Sequence, residues 1–258
     1  MTISSFQKKI YTYYRAHKRT LPWRKTINPY RILVSEVMLQ QTQSSRVIPK
    51  YKAFLEVFPN AQALAESSVR DVLSLWQGLG YNRRALLLKR TAEDIVTKYK
   101  GRFPKTHNEL VTLPGIGPYT ASALIAFAYN TPTVMIETNI RAVFIYFFFP
   151  KSKKVPDEKL LPLIEKYMDR ENPRGWYNAL MDYGAMLKAT VPNPSRKSKH
   201  HTKQSKFNGS MRQIRGAIIR LYTENHKISQ SRIIASLSYK PEVIKIQYKK
   251  LKDEGFFS

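Results

Sequence analysis

Leu113-Pro-Gly-Ile-Gly-Pro-Tyr-Thr-Ala-Ser-Ala-Leu-Ile-Ala-Phe-Ala128 is the stretch on which the reading of the fold turns. A helical pattern ends at Leu113, Gly115 and Gly117 permit a tight turn, and an alanine-rich helix begins at once. Glycines let a backbone approach a phosphate closely, and the N–H groups opening the next helix can donate to it. Such a grip holds one nucleic-acid strand without reading its sequence. A Pro-Gly-x-Gly between helices also serves as a plain interhelical turn, so its surroundings must decide.

Outward from the hairpin the apolar spacing is helical nearly throughout, which predicts an all-α fold. Phe6, Ile10, Tyr13 and Tyr14 repeat at helical intervals behind Ser4-Ser5, the expected N-cap. Asn28-Pro29 is a cap followed by proline at the first helical position, and that helix carries Ile32, Val34, Val37, Met38 and Leu39. Further helices are expected at about 47–58, 68–76, 83–99, 106–112, 118–129, 138–148, 156–168 and 173–188. Trp23, Trp76 and Trp176 read as core anchors, and Phe147-Phe-Phe149 as buried helix.

Charge sets the class of partner. The chain holds 44 Lys plus Arg against 18 Asp plus Glu, a net charge of +26, which points to a polyanion and first of all to nucleic acid. The opening Met1–Lys9 has no apolar stretch behind its positive charge, and the most apolar run, Phe144–Phe149, is far too short to span a bilayer. Neither a secretory signal nor a membrane partner is expected; the location expected is cytoplasmic, and nucleoid-associated if the source is prokaryotic. Cysteine is absent, which excludes disulfides, thiolate metal sites and any cysteine-held iron–sulfur cluster. His200-His201, in a lysine-rich run with no acid nearby, reads as solvated charge, so no metal site is expected.

Composition breaks at Val191-Pro-Asn-Pro-Ser195. Residues 191–210 form a basic linker, and three short helical patterns follow at 211–223, 229–237 and 241–253, ending at Gly255-Phe-Phe-Ser258. The organisation expected is therefore a main domain at 1–190 with its hairpin at about 106–129, the linker, and a small basic module at 211–258. Three short helices running into an extended segment suggest a truncated winged-helix or helix-turn-helix module; a basic helical tail packed on the core is the other reading.

Two acids give the chemistry. Glu137 lies twenty residues beyond Gly117, in Met135-Ile-Glu-Thr-Asn-Ile-Arg-Ala-Val143. With Asn139 it also reads as a helix cap. Glu36, in Pro29-Tyr-Arg-Ile-Leu-Val-Ser-Glu-Val-Met-Leu-Gln-Gln-Thr42, is flanked by Val34, Val37 and Met38. Burial against such a wall disfavours the charged form of a carboxyl, which suits a general acid; a surface helix glutamate is the bland reading.

With Trp76-Gln-Gly-Leu-Gly-Tyr-Asn-Arg-Arg-Ala85 added, the chain resembles the helix-hairpin-helix glycosylases related to endonuclease III, and within them the MutY-type adenine DNA glycosylases. The resemblance runs from Leu21-Pro-Trp-Arg24 through Asn178-Ala-Leu-Met-Asp-Tyr-Gly-Ala-Met186, most of the first 190 residues. It implies two helical subdomains flanking a cleft for DNA and an extruded base, and a monomer acting on duplex DNA with a mispaired adenine opposite guanine or 8-oxoguanine. Under it, Glu36 matches the acid that protonates adenine and activates water. Glu137 falls at the Asp that stabilises the positive sugar, with Asn139 organising the site. Tyr119 stands where strand-cleaving relatives carry the Schiff-base Lys, so a monofunctional enzyme is implied. Gln41 and Thr42 match residues that touch the opposite base, and Tyr81 matches the side chain wedged into the stack. Gly115, Gly117 and Thr120 fall on the DNA-gripping hairpin, where a monovalent cation is the only cofactor the resemblance leaves open.

The chain also departs from that pattern. Asp-Gly-Asn reads Glu137-Thr-Asn139, and Leu33 stands where adenine-specific members carry Trp. Leu187-Lys188 replaces the first cluster Cys, the basic linker takes the place of the cluster loop, and the C-terminal domain that reads oxidised guanine is not matched. Two other readings stay open on these grounds. One is a glycosylase removing thymine or uracil opposite guanine, against which Glu36 and Gln40-Gln41-Thr42 weigh. The other is a non-catalytic binder of distorted DNA, for which Glu-Thr-Asn speaks and against which both acids and Tyr81 speak.

Overall fold

A computed structural model describes residues 1–225 and 228–257; the expected C-terminal module therefore includes three positions outside the described residues. Among those described there are α-helices and two short 3-10 turns, and no strand. In chain order they are α1 (Ile3–His17), α2 (Pro29–Leu39), α3 (Ser44–Val57), α4 (Ala61–Glu66), α5 (Val69–Trp76), α6 (Arg83–Thr97) and α7 (His107–Leu110). Then follow α8 (Pro118–Tyr129), α9 (Thr138–Phe148), α10 (Asp157–Lys166), α11 (Pro173–Thr190), α12 (Met211–Glu224), α13 (Gln230–Ser236) and α14 (Pro241–Asp253). No described helix is long and apolar enough to cross a membrane.

The helix boundaries follow from capping chemistry. Asn28 accepts from the Arg31 N–H (3.2 Å) and Pro29 opens α2, as the sequence predicts. Thr2, not Ser4-Ser5, caps α1: its hydroxyl accepts from the Ser5 N–H, so both serines lie inside the first turn. Asn172 and Pro173 open α11 in the same manner, and Asn130 closes α8 in the left-handed region at φ +51°. The short α4, capped by Asn60, has no periodicity to announce it, because six residues are too few to display one.

The chain forms two compact units. The first comprises Met1–Ile32, Lys105–Thr112 and Ile116–Lys203. Its core is an aromatic nest around Phe6, whose ring lies 5.1–5.8 Å from those of Phe144, Phe147, Phe148, Tyr167 and Trp176, at the edge-on or tilted angles such quadrupoles favour. Phe147, Phe148 and Phe149 are only half-buried, because α9 ends there and its last turn emerges from the nest. Beside it the Asp182 carboxylate, buried on α11, accepts from Arg19 and, in a fork, from both terminal nitrogens of Arg24 at 2.8 Å. The first part of the basic stretch is folded here: Pro194, Ser195 and Ser198 are buried, and Val155 exchanges backbone hydrogen bonds with Lys197 and Lys199.

The second unit comprises Leu33–Pro104, Leu113–Gly115 and Gln204–Ser258. α4 and α5 pack on α6, with Trp76 at the centre against Phe54 and its indole N–H donating to the Gly80 carbonyl (3.2 Å). All three tryptophans are buried. α12 lies on α5, and α13 and α14 complete a small three-helix cluster around Ile214, Ile218, Ile244, Leu251 and Phe256. After α14 the chain turns through Gly255 and buries Phe256; among the described residues no strand follows to make a wing.

Candidate functional site

The candidate residues fall in both units. In the first unit Glu137 caps α9. Its carboxylate accepts from the backbone N–H of Asn139 (2.8 Å) and Ile140 (2.9 Å), while the Asn139 amide donates to its other oxygen (3.1 Å). The capping reading and the catalytic one thus describe one geometry: the helix N-terminus fixes a carboxylate in place. The extra methylene of Glu is absorbed by an extended Glu137 backbone (φ −138°, ψ −179°) and a side chain folded back onto the helix. Thr138 is exposed beside it.

Asn139 is itself held from behind. Gly184 on α11 approaches so closely that a Cβ there would lie 2.3 Å from the Asn139 carbonyl oxygen. One turn further along α11 stands Lys188. Burial pushes its ammonium below the ordinary lysine value, the charge of Glu137 pulls it back up, and Arg19 pushes it down again. On α9 itself, Arg141 forks onto Asp157 (2.8 and 2.6 Å), whose carboxyl that hydrogen bond holds below the usual range against the opposing effect of burial. Tyr119, half-buried, sits in the first turn of α8. Thr120 beside it is only 3% exposed, so its side chain faces the protein rather than a DNA strand.

The two hairpin glycines differ. Gly115 has φ +76°, and a Cβ on it would stand 2.7 Å from the Leu87 Cβ; only glycine fits. Next to it the Thr91 hydroxyl donates to the Pro114 carbonyl (2.5 Å). Gly117 is the extended N-cap of α8 (φ −87°) with nothing within 4 Å of a built Cβ. Its bareness leaves the α8 N-terminus approachable rather than permitting the turn. Gly115, Gly117 and Pro118 are all exposed.

In the second unit Glu36 is 6% exposed on α2, among Leu33, Val34, Val37 and Met38, which are buried too. Gln41 and Tyr81 both adopt left-handed backbone (φ +55° and +48°). For non-glycine residues that conformation persists only where the surroundings over-determine it. Here the agent is Arg84. Its guanidinium donates to the Val37, Met38 and Gln40 carbonyls (2.6, 3.1 and 2.6 Å), to those of Leu79 and Gly80 (3.3 and 3.0 Å), and to the Thr42 hydroxyl (3.3 Å). Burial lowers its pKa to about 10, against the opposing influence of Tyr81, which leaves it charged at neutral pH. One cation therefore closes the C-terminus of α2 and ties it to the loop bearing Tyr81. Thr42 is spent on this network, also donating to the Gln40 and Leu79 carbonyls, while Gln41 projects to solvent. Neither Arg84 nor Lys188 nor Gly184 stands out in the sequence, although each lies inside or beside a motif that does.

The HhH-GPD family, described as a superfamily of base excision DNA repair proteins, matches residues 34–166. The chain is 36% identical over 187 residues to the adenine DNA glycosylase of Buchnera aphidicola subsp. Baizongia pistaciae, covering 72% of this chain and 53% of that protein. It is 42% identical over 144 residues to that of Mycolicibacterium smegmatis, covering 55% and 48% of the two chains. The chain thus spans about half the length of the curated relatives it matches. Among solved structures, a thermostable thymine-DNA glycosylase superposes with TM-score 0.64 at 25% identity, covering 73% of this chain and 88% of that one. An endonuclease III–DNA complex superposes with TM-score 0.62 over 74% and 90% of the chains, at 17% identity, and speaks for the fold alone.

Proposed function

The chain belongs to the HhH-GPD superfamily of base excision DNA repair proteins, and from that premise we propose that it is a monofunctional DNA N-glycosylase removing mispaired adenine from duplex DNA. Glu36 donates a proton to the extruded adenine, whose N-glycosidic bond breaks with the electron pair leaving on the base. The sugar is left with positive charge, which the carboxylate of Glu137 stabilises. Water then adds to the sugar carbon and yields its proton to the Glu36 carboxylate, restoring the acid. Tyr119 offers no amine, so no Schiff base forms there and the abasic strand stays intact.

The observation that carries this reading is the Glu137 carboxylate, held by two backbone N–H groups and the Asn139 amide despite its additional methylene. A group fixed before reaction is what electrostatic stabilisation of a cationic sugar requires. For the hairpin cation the donors would be main-chain carbonyls, since residues 111–117 carry no carboxylate; the Pro114 carbonyl is already engaged by Thr91. No step above needs the ion.

A second reading, thymine or uracil removal opposite guanine, is favoured by one feature, the small buried Leu33 on α2. One assay separates the two: the protein is incubated with duplexes carrying A, T or U opposite G, and A opposite 8-oxoguanine, and abasic sites are then cleaved with alkali. Breakage only in the adenine strands supports the proposal, breakage in thymine or uracil strands replaces it with the second reading, and breakage without alkali removes the monofunctional assignment.

A further inference from the structure

Tyr81 is held at both ends. Beneath its ring lies the Arg84 guanidinium, 5.6 Å from the centroid. At the outer end the hydroxyl accepts from Arg212 Nη1 (2.6 Å) and from Gln204 Nε2 (2.5 Å), and the Arg212 guanidinium also lies 5.1 Å from the ring centroid. The other terminal nitrogen of Arg212 donates to the Ser205 carbonyl (2.7 Å). One fork thus links the tyrosine hydroxyl to the strand of chain that leads into α12. Arg212 and Gln204 come from the C-terminal segment, more than 120 residues away in sequence.

We propose that Arg212 is a positioning residue for Tyr81, and that the C-terminal helices thereby form part of the apparatus that discriminates a mispaired duplex. The inference rests on the reading of Tyr81 as the side chain that fills the stack when a base leaves it. A filler is effective in proportion to how little ordering it must undergo on insertion. The Tyr81 backbone is left-handed, and Arg84 secures its near side by donating to the Tyr81 carbonyl (3.4 Å). The far side needs a donor that reaches the hydroxyl and is itself fixed; the Arg212 fork, anchored on Ser205, supplies both conditions. A lysine would bring the charge but not the two-point geometry. The same contact explains why Tyr rather than Phe stands here, since phenylalanine would keep the ring and both cation contacts yet lack the anchor.

The test uses the full chain and its Arg212→Ala, Arg212→Lys, Tyr81→Phe and Arg212→Ala/Tyr81→Phe variants. Each is measured for affinity to mispaired and to matched duplex by fluorescence anisotropy, for single-turnover excision, and for melting temperature. The expected result is that Arg212→Ala lowers mispaired-over-matched discrimination roughly tenfold, the scale of one charge-assisted hydrogen bond. Tyr81→Phe should do the same, the double variant no more than either, and Arg212→Lys should fail to restore the loss. Full restoration by lysine, or an equal fall in affinity for both duplexes, would mean that Arg212 merely attracts phosphate. A lowered melting temperature with unchanged discrimination would reduce it to structural support. If the wild type neither excises nor discriminates, the glycosylase reading itself fails and the inference falls with it; an active wild type with an indifferent Arg212→Ala overturns the inference alone.

Discussion

The backbone of Asn139 occupies the space that a side chain on Gly184 would need: a Cβ there would meet its carbonyl oxygen at 2.3 Å. Backbone cannot step aside as a flexible side chain can, so Gly184→Ala must push α11 away from the start of α9. The cost in stability should be about 1–3 kcal/mol, the usual range for overpacking. Excision should suffer more than stability, because Asn139 orients Glu137; a shift near 1 Å there costs about 100-fold in rate. Thermal melting beside single-turnover excision checks both, and an active, stable Gly184→Ala would remove Asn139 from the site.

The two acids should separate by variant. Glu36→Gln is nearly isosteric but cannot protonate a base, so excision should collapse while affinity for the mispaired duplex survives. Glu137→Gln should slow the reaction on the order of 100- to 1000-fold, as removal of a preorganised group does. Glu137→Asp is the sharper measurement. The site is built around the longer side chain, so the shorter one should be roughly tenfold worse, given the sensitivity to ~1 Å shifts. A strong rise in rate with Asp would mean that the glutamate marks specialisation away from fast adenine excision.

The hairpin glycines should part company as well. Gly115→Ala must hold a side chain at φ +76° against Leu87, which predicts a loss of at least about 1 kcal/mol of stability. Gly117→Ala meets open space and keeps an ordinary backbone, so its melting temperature should barely move. Its effect should be weaker binding to every duplex, mispaired or matched, because the methyl stands where a phosphate would approach. Melting and anisotropy on the pair of variants read this directly.

Asp182 makes stability depend on acid. Burial raises its carboxyl pKa, but hydrogen bonds from Arg24 and Arg19 more than offset this, leaving it below the usual value. The unfolded chain therefore takes up the proton first. The contribution is complete above the ordinary carboxylate pKa, near ~4, and is lost as pH falls through the lower folded value. Asp182→Asn leaves two arginines facing no anion, and should cost about 3–5 kcal/mol near neutral pH. Its stability should also fall less steeply below pH ~4 than that of the wild type. Urea unfolding across that range provides the comparison.

What was legible in the sequence had local causes. Asn28-Pro29 announces α2, Pro114-Gly115 announces the turn of the hairpin, and three tryptophans announce buried anchors, because caps, turns and burial leave marks on neighbouring residues. Arg84 left none. Its partners lie at 37–42 and 79–80, and a hub of carbonyl hydrogen bonds has no periodicity to detect. The same holds for Asp182 with its partners near residue 20, for Lys188 beside Glu137, and for Arg212 on Tyr81. Thr120 shows the converse: it falls on the hairpin motif, and helix phase turns its side chain inward.

The C-terminal helices are not a removable tail. Tyr222 lies under the Arg70 guanidinium (4.0 Å), Gln77 donates to Thr223 (3.3 Å), and Arg90 donates to the Glu254 carbonyl (3.2 Å). A chain cut after Lys203 forfeits these interactions together with buried Ile214, Ile218, Ile219, Ile244, Leu251 and Phe256. The cut also bares the face of α5 on which α12 lies, leaving apolar surface in water. The shortened chain should melt far lower or fail to stay in solution. Whether this segment touches DNA is better asked with the exposed Lys249, Lys250 and Lys252 changed to Gln. For each phosphate that the variant no longer neutralises, the log–log salt dependence of binding should become shallower by about one.

The packing of α12 on α5, from a segment translated long after α5, also dictates the order of events at the ribosome. Leu33–Pro104 leaves the exit tunnel with α5 still uncovered, and the residues that will cover it have yet to be translated. At ~5–20 residues per second the wait is on the order of 10 s. Throughout that time the face of α5 that α12 will cover is exposed. Nascent chains of this protein should therefore engage holding chaperones through the α5 segment and release them only after α12 has emerged.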